Sequence, residues 1–230
     1  MSLIINNKPI RSVMVIDDQQ AARDAMAFSV EDADLKPIFH EHPFKSIAEC
    51  LYTVTTADAA IFDHHLKPGN YANFDGAEAV AQLYRQQFPS LLVTAWAKAS
   101  IDNIRPLRQN IPILIRSGDA ESQVIKSGFE QCINEFSGHY SFSRKPWRTL
   151  VRIEEVDSEI SRVYVVIPGW NPNEIVSLPL VMFPKVKEVV PGTRFFAKVN
   201  TGADQQEELY FTDFEIIEKP RGEYAKFLRS

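Results

Sequence analysis

Charged and nucleophilic side chains follow several short apolar runs in the N-terminal half of the sequence. Two carboxylates, Asp17 and Asp18, follow the first run, and Asp63 follows the third. Thr94 lies at the end of the fourth run, and Arg116 follows the fifth. If these runs are parallel strands of one sheet, their carboxyl ends share one edge, where the functional residues of such sheets collect. The sequence therefore predicts one site with three carboxylates, a hydroxyl and a cation.

These residue types predict phosphoryl chemistry. Three converging carboxylates repel one another unless a cation holds them, and hard oxygen ligands suit Mg²⁺. A carboxylate placed beside the metal can act as a nucleophile toward a phosphoryl donor. A hydroxyl and a cationic side chain opposite it would stabilise the charge of the added phosphoryl group. The expected reaction is the Mg²⁺-dependent transfer of a phosphoryl group to an aspartate.

The elements that must position these residues alternate between strand and helix patterns. Apolar side chains at residues 77, 80, 81, 84 and 88 have the spacing of one helix face, and weaker helical patterns follow the other runs. A helix between the last two runs should stop near Pro106. Five β–α units in succession predict an α/β domain with a five-stranded parallel sheet and helices on both faces. The five predicted strands are residues 12–16, 35–40, 57–62, 91–95 and 111–115.

The pattern changes after residues 137–146. Turn residues then separate short strand-like segments, and only residues 223–229 could form a terminal helical turn. We therefore expect two domains, at residues 1–140 and 147–230, the second an all-β small barrel or sandwich. Its predicted strands are residues 149–156, 161–167, 174–178, 194–200 and 208–214.

Several motifs occur in a fixed order along the first domain. They are Val-Ile-Asp17-Asp18-Gln, Ile-Phe-Asp63-His-His-Leu-Lys-Pro-Gly, Asp75-Gly76, Leu-Val-Thr94-Ala95 and the basic Arg116. Over about half of the chain, this set resembles the receiver domain of response regulators, the chemotaxis-regulator-like module of two-component signalling. The resemblance implies the flavodoxin-like (βα)5 topology and a sensor histidine kinase as partner.

By this resemblance, Asp63 is the phosphoacceptor. Asp17, Asp18 and Asp63 would hold Mg²⁺ together with the backbone carbonyl of His65. Thr94 would move toward the phosphoryl group, for which the small Ala95 leaves room. The protein would then be a signalling switch rather than an enzyme.

The sequence departs from the family pattern in three places. Arg116 stands where the family usually has Lys, and it keeps the charge with a different geometry. Ile113 replaces the aromatic switch residue of the fifth strand, and the loop between Asp63 and Gly76 is longer than usual. Trp96, two residues after Thr94, is either a cover for the site or an exposed aromatic.

Other interpretations of these residues stay open. Asp17 and Asp18 could cap the first helix, where acidic groups are favourable. The domain could be a degenerate receiver that acts as a scaffold without phosphorylation. A phosphohydrolase of the haloacid dehalogenase type is disfavoured, because it needs an Asp two residues after its nucleophile and position 65 is His.

Charge and composition indicate what the second domain binds and in which compartment the protein works. The net charge is -5, and residues 144–230 carry 13 basic and 13 acidic side chains. Because phosphate neutralisation drives nucleic-acid binding, this balance favours a protein effector over a DNA-binding transcriptional output, the alternative. No apolar stretch approaches the ~20 residues of a membrane span. We expect a cytoplasmic protein with two free buried thiols; a homodimer is compatible with the sequence.

Overall fold

A computed structural model describes residues 3–5, 8–95, 98–183 and 189–216 of the chain. Contacts divide the chain into two compact units. The first, here the α/β unit, contains Met1–Arg144 and Ala203–Glu208; the second, the β unit, contains Lys145–Gly202 and Leu209–Ser230. Residues 203–208 lie in the sequence range expected for the second domain. They group with the first unit, where the Gln206 carbonyl accepts a hydrogen bond from Arg105.

A five-stranded parallel sheet forms the centre of the α/β unit. A short antiparallel hairpin that the sequence did not predict, β1 (Leu3–Ile5) and β2 (Lys8–Ile10), precedes it. The sheet strands are β3 (Ser12–Ile16), β4 (Lys36–Phe39), β5 (Ala59–Asp63), β6 (Ser90–Thr94) and β7 (Leu114–Arg116). Their spatial order is β4-β3-β5-β6-β7, the 2-1-3-4-5 order of flavodoxin-like folds. The predicted fold of this unit is therefore confirmed.

Helices cover both faces of this sheet. They are α1 (Gln20–Asp32), α2 (Ile47–Val54), α3 (Gly76–Arg85), α4 (Lys98–Ile104) and α5 (Ser122–Phe136), and a 3-10 helix spans Arg105–Asn110. Alternate residues of a strand face opposite layers. In β3, Val13 and Val15 pack in the core that contains α1 and α5, whereas Met14 and Ile16 pack in the core of α2 and α3. Covered strands of this kind explain the continuous apolar runs.

The β unit contains five antiparallel strands in one sheet. They are β8 (Trp147–Asp157), β9 (Arg162–Ile167), β10 (Asn171–Pro179), β11 (Arg194–Val199) and β12 (Phe211–Ile216), in the order β10-β9-β8-β11-β12. Val151, Val165 and Phe195 are buried in its core. The all-β prediction is confirmed, and residues 223–229, predicted as a helical turn, lie outside the described residues.

Two smaller expectations concern the whole chain. Cys50 and Cys132 are buried and free, as predicted, and burial raises the pKa of each thiol to about 12. In the part of the chain that the structure describes, no helix is long and apolar enough to cross a bilayer.

Candidate functional site

The strand register determines where the site residues lie. Ile16 of β3 pairs with Phe62 of β5, so Asp17 and Asp63 are the next residues along two adjacent strands. Thr94, at the end of β6, pairs with Arg116, at the end of β7. All four residues therefore lie at the carboxyl edge of the sheet, where the sequence placed them.

A cavity of about 320 Å³ opens at this edge. Asp17 and Asp63 both line it, and Val93 lies beside them. One wall consists of α1 side chains, including Met26, and the segment 117–120 forms another. Both carboxylates thus face one space that a small group can enter.

Asp17 carries a charge that its surroundings stabilise poorly. Burial, together with the negative charges of Asp63 and Asp18, raises the pKa of Asp17 to about 6. A hydrogen bond from the Gln19 N–H to Oδ1, at 2.8 Å, opposes this rise. Arg23 of α1, a residue that sequence reasoning missed, donates to the Asp17 carbonyl at 2.6 Å. The carboxylate is therefore only partly neutralised.

The helix-capping interpretation of the acidic pair can be compared with this geometry. Gln19 is the N-cap residue of α1, its side chain makes no capping bond, and the first turn contains no acidic residue. Asp17 binds the Gln19 N–H from outside the helix. Asp17 therefore shapes the entry to α1, but it does not bond to the free N–H groups of the first turn.

Asp63 is held by the backbone that follows it. Its Oδ2 accepts the N–H of His65 at 2.6 Å, and burial raises the pKa of Asp63. The His65 side chain is exposed, whereas His64 is buried and its Nδ1 has no hydrogen-bond partner. Burial lowers the pKa of His64 to about 4, so this imidazole is neutral. A role for the His65 carbonyl as a metal ligand stays a prediction.

Two glycines allow the backbone to approach the acidic residues closely. A Cβ on Gly69 would lie 1.9 Å from Oδ2 of Asp18, so the long loop after β5 contacts this carboxylate. A Cβ on Gly76 would lie 2.0 Å from the Asp63 carbonyl oxygen, which explains why glycine follows Asp75. In the sequence, the length of this loop was the only indication that Gly69 contacts Asp18.

Thr94 and Arg116 complete the carboxyl edge. Thr94 is fully buried, and its Oγ1 has no hydrogen-bond partner. The Arg116 side chain is exposed, and its carbonyl accepts the N–H of Asp119. Trp96, which the sequence suggested as a cover, lies outside the described residues. A buried hydroxyl without a partner can accept or donate a hydrogen bond to an incoming group.

The donor set can be compared with the needs of Mg²⁺. Among the described residues, no three His, Cys, Asp or Glu side chains form a group that could hold a metal ion. Mg²⁺, however, usually keeps several waters and binds through one or two carboxylates. The carboxylate groups of Asp17 and Asp63, which line the same cavity, fit such a hydrated ion.

The sequence matches no protein-family model and no curated protein. Among solved structures, the chain is similar to a response regulator receiver domain protein from Clostridium thermocellum, with 16% identity over 56% of this chain and 98% of that one (TM-score 0.43). It is also similar to the signal receiver domain of a modulated diguanylate cyclase from Desulfovibrio desulfuricans G20, with 15% identity over 56% and 97% (TM-score 0.44).

A third similar structure is the signal receiver domain of an HD domain-containing protein from Pseudomonas fluorescens Pf-5. Its identity is 13%, over 56% of this chain and 90% of that one, with a TM-score of 0.42. The similarity concerns the fold alone.

Proposed function

We propose that this protein is a cytoplasmic response regulator whose α/β unit accepts a phosphoryl group on Asp63. The observation that carries the proposal is that Asp17 and Asp63 line one cavity at the carboxyl edge of the sheet. The buried Thr94 hydroxyl ends the neighbouring strand β6 and has no partner of its own. This combination suits a site that gains a charged group and later loses it.

Each residue has a separate role in the proposed reaction. An Asp63 oxygen attacks the phosphorus of the donor, a phosphohistidine of a sensor kinase, and the bond from phosphorus to the donor nitrogen breaks. Asp17, Asp18 and Asp63, with the His65 carbonyl, would hold Mg²⁺, which would supply positive charge near the phosphoryl oxygens. The protein acts as a phosphoacceptor switch and not as an enzyme with a substrate of its own.

Two further groups would stabilise the product. The Thr94 hydroxyl donates a hydrogen bond to the new phosphoryl group, which satisfies a polar atom that is otherwise buried alone. Arg116 supplies a guanidinium in place of the usual lysine, and its planar fork of donors suits phosphate oxygens. Switching therefore couples the bound phosphoryl group to the ends of β6 and β7.

For the β unit, we propose binding of a protein effector. Among the described residues of this unit, five large apolar side chains are exposed: Trp147, Ile160, Ile175, Val181 and Val190, with Val181 82% exposed. Exposed apolar groups of this kind serve as contacts in protein interfaces. A nucleic-acid site would instead need a basic groove along the surface.

Two exposed cations of the β unit already have acidic partners. Arg148 pairs with Glu215 at 2.8 Å, and Lys198 pairs with Asp213 at 2.8 Å. Since these carboxylates would repel a phosphate backbone, the paired charges also favour a protein partner over DNA.

Labelling with a small-molecule phosphoryl donor tests the proposed function. We expect wild-type protein to gain the mass of one phosphoryl group in the presence of Mg²⁺ and none in excess chelator. Asp63→Asn should gain none, because the nucleophilic oxygen has been replaced by an amide. Intact-protein mass spectrometry of the full chain measures both results.

The matched control is Asp32→Asn, which removes an exposed carboxylate at the end of α1. It should label like the wild type. Equal labelling of Asp63→Asn and wild type would refute the assignment of Asp63. No labelling of the wild type by small donors or kinase would favour the degenerate scaffold instead.

A further inference from the structure

The loop between β5 and α3 is packed into the α/β unit. Leu66, Tyr71 and Phe74 are buried in the core on the side of α2 and α3. The Tyr71 carbonyl accepts the Phe44 N–H at 2.8 Å, and the Tyr71 hydroxyl donates to the His40 carbonyl. These anchors hold the loop in one position, as expected for a compact loop packed by its own side chains.

A second set of contacts holds the base of the loop. Lys67 Nζ pairs with Asp75 at 2.9 Å and with Glu78 at 2.7 Å. Asp75 and Glu78 also form the capping box of α3. The loop is thus fastened on both sides of residue 69, through Lys67 at the helix and through Tyr71 at the core.

Between these anchors, the Gly69 backbone contacts the Asp18 carboxylate. The positive-φ glycines in the described residues are Gly118, Gly138 and Gly192, so Gly69 does not need the left-handed conformation. An alanine could therefore adopt the backbone of Gly69 without strain. The three atoms nearest to the added methyl group would all belong to the Asp18 side chain, with Oδ2 at 1.9 Å, Cγ at 2.7 Å and Cβ at 2.8 Å.

We propose that Gly69 is a positioning residue that orients the Asp18 carboxylate for a divalent cation. The inference rests on the proposed function, since it assumes that the acidic site binds Mg²⁺. The anchored loop restricts the orientations of Asp18, and the missing Cβ leaves room for the one that faces the cation. The long loop then sets the affinity for the cation, although none of its side chains needs to be a ligand.

Direct Mg²⁺ titration of the full chain by isothermal calorimetry tests the proposal. Gly69→Ala should displace the Asp18 carboxylate and weaken Mg²⁺ binding about tenfold or more, the usual loss when a group that orients a ligand is removed. The control Asn73→Ala changes an exposed residue of the same loop and should bind Mg²⁺ like the wild type. Far-UV circular dichroism should show the same helix content in all variants.

A double replacement separates positioning from a general loss of the site. In the Asp18→Gly background, all three atoms that the new methyl group would meet are gone, so adding Gly69→Ala should not weaken Mg²⁺ binding further. Wild-type affinity in Gly69→Ala, or equal effects of Gly69→Ala with and without Asp18, would overturn the proposal. A wild type that labels on Asp63 but binds no Mg²⁺ would refute this inference and leave the phosphoacceptor assignment intact.

Discussion

Two regions of the α/β unit treat buried charge in opposite ways. At the carboxyl edge of the sheet, burial raises the pKa of both Asp17 and Asp63, and the charge of Asp63 adds to the rise at Asp17, which Arg23 only partly offsets. Near the residues that precede β7, Arg144 and Glu135 are almost fully buried, and Arg144 Nε lies 2.9 Å from Glu135 Oε1.

In the second region, the buried Arg144–Glu135 pair has several hydrogen-bond partners, although Nε of the neighbouring Arg108 has none. Arg144 also donates to the carbonyls of Arg108 and Gln109, and Glu135 accepts the Tyr84 hydroxyl at 3.0 Å. Buried charges are tolerated when they are paired and hydrogen-bonded. We infer from this difference that the uncompensated polar groups at the sheet edge lower the stability of the α/β unit. Such a loss of stability is typical of functional sites.

The largest expected effect comes from breaking the compensated pair. Arg144→Met leaves Glu135 buried without its cation, so the free energy of unfolding should fall by about 3–5 kcal/mol. Urea unfolding followed by circular dichroism at 222 nm measures this, because all five α-helices described belong to the α/β unit.

Two comparisons sharpen this prediction. Lys126→Met breaks a partly exposed pair with Asp34 in the same unit and should change the unfolding midpoint far less. Combining Arg144→Met with Glu135→Leu removes both charges and should restore much of the lost stability. If the double variant were no more stable than Arg144→Met, burial of an unpaired charge would not be the cause.

A smaller effect of opposite sign is expected at the acidic site. Asp17→Asn removes a poorly stabilised charge and keeps an oxygen for the Gln19 N–H, so stability at pH 7 without Mg²⁺ should rise by about 1–3 kcal/mol. Since the folded pKa of Asp17, about 6, lies above its ordinary value of 3.8, the contribution of Asp17 to wild-type stability should fall as the pH rises from 4 to 7.

In Asp17→Asn, the part of this decline that is due to Asp17 should disappear. Urea unfolding at pH 4, 5, 6 and 7 in the presence of chelator provides the test. An unchanged pH slope, or a less stable variant at pH 7, would show that the Asp17 carboxylate is well compensated.

The smallest effect concerns the buried hydroxyl at the sheet edge. Thr94→Val replaces an unpartnered Oγ1 with a methyl group of similar size, so stability should rise by about 1 kcal/mol. The Thr56 Oγ1 donates to the Thr53 carbonyl at 2.7 Å, so the control variant Thr56→Val should not be more stable than the wild type. Thermal unfolding compares the two variants; a destabilised Thr94→Val would mean that its hydroxyl has a partner.

Local patterns were sufficient to predict the main elements of both units. The run Ser12–Ile16 is one strand, α3 contains the predicted apolar positions from Ala77 to Tyr84, and α4 ends before Pro106 as expected. These features depend on side chains that are close in sequence, so hydrophobic periodicity and helix-breaking residues are enough to predict them. The placement of Asp17 and Asp63 followed as well, because parallel strands share a carboxyl edge.

The sequence alone therefore determined the two-unit α/β and β organisation and the residues at the sheet edge. Only the tertiary structure decided which distant residues come into contact. Gly69 contacts Asp18, and Arg144, which the sequence places in a linker, pairs with Glu135. The Arg144 guanidinium also binds the Arg108 carbonyl, 36 positions away. Such contacts join segments that no local period relates, so they depend on how the loops pack and not on the pattern of any one element.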